Sequence, residues 1–334
     1  MNLRPVRIVA LGGGTGLSML LRGFKEFIAR RKSERVSRPV SDLAVVVTVT
    51  DDGGSSGRLR REYRVLPPGD IRNCMVALSK DEALLGRLFQ YRFPGVRGLG
   101  GHSFGNLFLT ALTNVTGDFP EAVRLSGQVL AIRGRIFPST AENVTLEAEL
   151  ADGTRVAGET KISRSRKRIK RVHLVPRRVR PLPEVLAALR EADLILVGPG
   201  SLYTSVIPNL LVEEIAEVVA NSRATRAYIA NVMTQPGETD GFSVPDHVRA
   251  IYDHTRKYLF DWVIINRQPL QSRVMRKYRA QGATPLPVST EELRRMGLRC
   301  VFGNLVAQDG FARHDARRLT RLILDEFARR PIRH

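Results

Sequence analysis

Short apolar runs that stop at glycine alternate with stretches of helical period along most of the chain. Arg7-Ile-Val-Ala-Leu11 ends in glycines and predicts a buried parallel strand, and Leu17 to Ile28 then carries helical spacing. Leu43 to Thr50 (LAVVVTVT) predicts a second strand, halted at Asp51-Asp52-Gly53-Gly54. Helical pattern returns after Gly69-Asp70, through Met75, Val76 and Leu78, and again from Gly105 to Leu112. Strand, glycine-rich turn and helix, repeated in that order, predict an α/β fold with a Rossmann-like, doubly wound, mostly parallel sheet.

Near Gln128 the period shortens towards two. Asn143 to Glu149 alternates, Asp152-Gly153 supplies a hairpin turn, and Thr154 to Ile162 alternates again. Residues 128–180 therefore read as a small antiparallel β insertion within a core made of 1–127 and 181–334. The insertion carries the densest basic run, Arg164 to Arg171, expected at a solvated hairpin end. The parallel pattern resumes at Ala192 to Val197, which feeds Gly198-Pro-Gly-Ser201. A helix is expected from about Leu210 to Ala220, strands at Arg226–Asn231 and Trp262–Asn266, and a basic amphipathic helix from Ala316 to Arg330. Asp246 and His247 open a helix after Pro245, where a capping role is expected.

Composition narrows the class. No apolar run reaches the ~18 residues of a membrane span, and the amino terminus opens on a strand pattern rather than a signal peptide. Two cysteines, Cys74 and Cys300, exclude a disulfide scaffold and favour a reducing, cytoplasmic setting. The net charge of +20 attracts anions of every kind, nucleic acid included. Aromatics are only 6% of the residues, too few for a base-stacking nucleic-acid surface, so binding there is expected to be nonspecific. A homodimer is compatible with this fold class.

The carboxyl ends of parallel strands line one edge, and ligands bind in the crevice there. Gly12-Gly13-Gly14-Thr15-Gly16 suits a phosphate, because glycines let the backbone approach and the following helix offers free N–H groups. It is neither GxGxxG nor a Walker loop, and the nicotinamide reading fails with it. Asp51 and Asp52, followed by Gly53, Ser55 and Arg58, suit a divalent metal, ribose hydroxyls or a general base. Asp70 caps the next helix or faces the cleft with Asn73, while His102, beside Asn106, is either structural or an acid–base group. Gly198, Pro199, Gly200, Ser201, Tyr203 and Thr204 repeat the chemistry of the first loop; Asn231, Gln235, Glu238 and Thr239 suit sugar hydroxyls. The six histidines share no ligand spacing and no Gly-x-Ser-x-Gly elbow occurs.

Six motifs in order, GGGTGLS, VTDDGGSSGRLR, LPPGDIRNC, GHSFGN, GPGSLYTS and NVMTQPGETDGF, resemble the bacterial gluconeogenesis factor family, the YvcK-like proteins, over nearly the whole chain. That resemblance implies a cytoplasmic, Rossmann-like protein that binds UDP-sugars, notably UDP-N-acetylglucosamine, and supports cell shape and growth on gluconeogenic carbon. It also implies a distant kinship with the 2-phospho-L-lactate transferases, CofD, which move a phospholactyl group from a nucleotide diphosphate carrier. Those relatives use second-loop acids near a divalent metal, so Asp51 and Asp52 mark the matching pair for Mg²⁺, with His102 assisting in a transferase. Beyond the motifs, Tyr278 is placed to stack on a base and Arg313 to reach a base carbonyl or diphosphate.

Overall fold

Among the described residues, ten strands follow one another in chain order: β1 (Val6–Gly12), β2 (Val40–Val47), β3 (Arg135–Pro138), β4 (Thr145–Leu150), β5 (Arg155–Ala157), β6 (Ile169–Val175), β7 (Leu194–Val197), β8 (Thr225–Ile229), β9 (Trp262–Asn266) and β10 (Arg299–Gly303). The computed structural model describes residues 6–29, 40–80, 84–95, 97–307 and 309–327. Seven strands form one all-parallel sheet in the order β10-β9-β8-β7-β1-β2-β3. β5-β4-β6 form a separate antiparallel sheet. The central strands are buried almost end to end, as at Ile8–Leu11, Leu43–Val47 and Leu194–Val197. Continuous burial of this kind follows from helices covering both faces of a parallel sheet.

The doubly wound class is therefore the fold observed. Several boundaries differ, each for a local reason. β2 ends at Val47; Thr48 still donates to the Gly12 carbonyl (3.1 Å), after which Thr48 and Thr50 pair their hydroxyls (3.0 Å). The Thr154–Ile162 alternation keeps only Arg155–Ala157 as strand, and Glu159–Ser165 is a helix. Its first turn is held from another part of the chain, because the Asp52 carboxylate accepts the Thr160 N–H (2.8 Å) and hydroxyl (2.7 Å). The helix expected over Leu210–Ala220 is broken into Ile207–Leu210 and Ile215–Asn221, with Glu214 left-handed (φ 62°) between them. β3 lies within 128–180 yet pairs with β2, so the antiparallel part spans Thr145–Val175. The carboxyl-terminal helix runs over Ala316–Phe327, and residues 328–330 of its expected span lie outside the described residues. The capping expected at Asp246 is present: Ser243 and Asp246 form a reciprocal capping box. No helix among the described residues is long and apolar enough to cross a membrane.

α1 (Gly14–Ala29) leaves β1 and crosses the carboxyl-terminal helix at Gly23. A Cβ there would strike the Ala316 carbonyl and the Thr320 hydroxyl. Backbone cannot yield as a side-chain tip can, so Gly23→Ala is expected to cost about 1–3 kcal/mol. Urea denaturation should show a lower midpoint at an unchanged slope; an unchanged midpoint would contradict the close crossing.

Candidate functional site

The strand order turns about β1. Its neighbour on one side is β2, reached through α1, and on the other β7. Chain leaving β1 and chain leaving β7 therefore diverge, which opens a crevice at the carboxyl edge. Here the loops touch: an added Cβ on Gly16 would lie 2.5 Å from the Pro199 carbonyl oxygen. Asn231, past the end of β8, clamps the second loop by accepting the Gly200 N–H (3.2 Å) and donating to its carbonyl (2.8 Å). Asp70 secures the first by accepting the Gly14 N–H (2.8 Å). A side chain on Gly13 would meet this carboxylate and the Thr48 methyl, each at 2.8 Å. The Thr15 and Gly16 N–H groups have no acceptor among the described residues. They point their partial positive charge outward at the start of α1, a ready anion site.

A cavity of about 960 Å³ lies over these groups. Of the residues expected from sequence, Gly13, Gly14, Thr15, Gly16, Pro199, Gly200, Ser201, Asn231, Gln235, Tyr278 and Arg313 line it. Tyr278 lines the cavity with its hydroxyl accepting the Ala312 N–H (3.3 Å). Arg313 pairs with Asp309 through Nε (2.9 Å). Phe311 stands between two cations, 4.3 Å from the Lys277 ammonium and 5.3 Å from the Arg313 guanidinium. This wall rests on its own small apolar cluster of Val232, Met233, Ala283 and Val306, against which Tyr278 and Ala312 pack. Sequence reasoning missed Phe311 and the α1 face of Ser18, Met19, Arg22, Lys25 and Glu26, which also line the cavity. The only available signal was the three-and-four spacing of that face, which an ordinary solvated helix shares.

The remaining expected residues lie outside this cavity, behind the first loop and against the insertion. Asp51 accepts the Gly53 N–H (2.8 Å), and Asp52 is spent on Thr160. His102 Nδ1 pairs with the Ser55 hydroxyl (2.9 Å), which also accepts from Asn106 (3.1 Å). Burial and then the neighbouring Arg58 hold the His102 imidazole below its ordinary value. Asn73 accepts from Arg72 (2.7 Å), and Gly198 donates to the Leu11 carbonyl (2.9 Å). Tyr203 is buried edge-on to Phe242 and His254, which pushes its hydroxyl up to about 12. Thr204, Ser163 and Gln235 all donate to Glu238 Oε1, and Thr239 accepts the Gln235 N–H (2.8 Å). Glu238 Oε2 and Glu159 Oε2 are enclosed without a partner among the described residues. Burial, reinforced by Asp51, raises Asp70 to about 6, and burial raises Glu238 to about 7. Burial and then Asp70 hold Glu159 well above its ordinary value.

For Mg²⁺, Asp51 stands close enough to Asp70 to help raise it, and Asp52 gives its Oδ1 to Thr160. No group of three or more metal-binding side chains converges among the described residues. A two-carboxylate arrangement fits Mg²⁺ only in the form that arrives with substrate phosphates and keeps its waters.

The buried Glu238 proton has a measurable consequence. A raised folded-state value means its contribution to stability is intact below the ordinary carboxyl range and is lost as pH rises towards about 7. The thermal midpoint should fall over that window, and Glu238→Gln should flatten the fall. Identical pH profiles for the two proteins would show that Glu238 does not hold the proton.

The family model described as 2-phospho-L-lactate transferase CofD matches residues 8–306. The gluconeogenesis factor of Bacillus subtilis is 46% identical over 326 residues, covering 97% of this chain and 99% of its own. That of Halalkalibacterium halodurans is 45% identical over 324 residues, covering 97% of each. The crystal structure of a Bacillus halodurans protein superposes with a TM-score of 0.90 at 45% identity, covering 96% of this chain and 100% of that one.

Proposed function

The chain belongs to the CofD family and, more narrowly, to the gluconeogenesis factors, and on that footing we propose that it binds a UDP-sugar of the UDP-N-acetylglucosamine type and acts as a cytoplasmic regulator of carbon metabolism, cell wall and cell shape. The observation that carries the reading is one cavity shared by the unpaired Thr15 and Gly16 N–H groups, the ring of Tyr278 and the guanidinium of Arg313. The first supplies an anion site, the second a stacking face, the third a donor for a base carbonyl or a phosphate. Asn231 and Gln235 add donors and acceptors suited to hydroxyls.

Calorimetry with UDP-N-acetylglucosamine at about 150 mM salt tests it, since nonspecific attraction to a +20 protein is screened there. Saturable binding is expected, weakened about tenfold or more by Tyr278→Ala, in line with the ~1–3 kcal/mol of base stacking. Tyr278→Phe should keep most of the affinity, and Arg313→Ala should lose it. Binding only to RNA, fading steeply with salt, would sink the reading.

A second reading, a Mg²⁺-dependent transferase of a phosphorus-containing group, is favoured by the Asp51–Asp70 influence beside the glycine loop. Mg²⁺ would be held there by these carboxylates and would neutralise phosphate charge. Asp51 would position it, and Asp70 would hold the first loop through the Gly14 N–H. In that case Asp51→Asn abolishes turnover of a nucleotide diphosphate carrier while leaving UDP binding; a regulator shows no turnover with or without the substitution.

A further inference from the structure

The loop after β7 enters its helix through a π-turn, Leu202–Val206, in which the Ser201 carbonyl accepts both the Ser205 N–H (2.9 Å) and the Val206 N–H (3.0 Å). Such a turn takes in an extra residue and gives the side chains after it a new heading. Three consecutive polar residues are divided by it. Tyr203 packs against Phe242 and His254, and Thr204 donates to Glu238 (3.4 Å), so both serve the buried seam. Of the three, Ser205 lines the cavity. A Cβ added to Gly200 would lie 3.3 Å from the Ser205 Cβ, and one added to Gly13 would lie 3.4 Å from it. Ser205 is thus wedged between the two glycine loops. Its hydroxyl oxygen would lie 3.6 Å from a Cβ on Gly14, the residue before the free Thr15 N–H.

The placement is held from below. Asn209, wholly buried, donates through Nδ2 to the Gly12 carbonyl at the end of β1 (2.9 Å) and to the Ser205 carbonyl (2.8 Å). Ser205 is itself only 5% exposed. Its hydroxyl nevertheless has no hydrogen-bond partner among the described residues, and it is not enclosed, so it opens to the cavity. A hydroxyl this deep in a protein is ordinarily satisfied by a protein group, by water or by a ligand. An ionised phosphate only accepts hydrogen bonds, and a serine hydroxyl can turn to donate one. We propose that Ser205 is a phosphate-binding residue, the third donor of the anion site beside the Thr15 and Gly16 N–H groups, so that both glycine loops hold the diphosphate at once. The inference rests on the UDP-sugar reading above and adds to it a binding residue from the opposite loop.

Calorimetry with UDP, together with the ³¹P spectrum of UDP bound at saturation, tests it. Ser205→Ala should weaken UDP binding about tenfold, the size of a lost hydrogen bond to a charged group. Ser205→Cys keeps the size of the side chain but replaces a strong donor with a weak one, and it should lose a similar factor. In both variants at least one phosphorus resonance of bound UDP should move from its wild-type position, which a change confined to packing would not bring about. An affinity unchanged in Ser205→Ala, a full affinity kept by Ser205→Cys, or a loss that leaves both phosphorus resonances in place would each overturn the contact. Wild-type binding of UDP that neither substitution alters removes only this inference. No binding of UDP to the wild-type protein removes the nucleotide-sugar reading and this inference with it.

Discussion

Gly16 reaches the Pro199 carbonyl only because it has no side chain, and through that contact the loops after β1 and β7 become one surface. The second loop leaves the sheet ladder after Gly198, whose N–H still donates to the Leu11 carbonyl (2.9 Å), and the first after Gly12. Each is instead tied down by a side chain from a third element, Gly14 by Asp70 and Gly200 by Asn231. The result is a pair of N–H groups fixed in direction before any ligand arrives. An anion bound there does not have to order the loop that binds it, which is where preorganisation adds affinity. The second wall of the cavity is built differently, on a four-residue apolar cluster apart from the main core. A firm phosphate side and a lighter aromatic side thus face each other across one space.

Much of this was legible in the sequence, and the reason is local. β1, β2, β7, β8 and β9 are apolar runs closed by glycine or a polar turn, and burial on both faces leaves that signature with no help from the rest of the chain. β10 escaped notice because it is an edge strand whose Phe302 is 37% exposed, so its apolar run is diluted. The Glu159–Ser165 helix escaped for the opposite reason. Its first turn is capped by Asp52, 108 residues away, and no window of local pattern contains that bond. The glycine loops were recognisable by type and by family motif, whereas Tyr278 and Arg313 were singled out beyond those motifs. The α1 face was not, because a polar helix row looks the same whether it meets water or a cavity.

The acidic residues show how proximity in sequence and proximity in function part company. Asp51 and Asp52 are neighbours, yet Asp52 anchors the insertion while Asp51 acts on Asp70. Glu238 and Glu159, from the core and the insertion, share the buried seam, where burial raises Glu238 to about 7 and holds Glu159 well above its ordinary value. Burying neutral acids costs far less than burying charges, which is why the seam raises both carboxyls. The insertion is thereby fixed to the same edge of the sheet as the cavity, by bonds that the cavity does not use.

A crystal structure of the protein with UDP-N-acetylglucosamine shows where the nucleotide lies. The diphosphate is expected within hydrogen-bond reach of the Thr15 and Gly16 N–H groups, with the base against the ring of Tyr278. A nucleotide bound away from α1, for instance on the basic face of the insertion, would contradict the switch-point crevice as the binding site.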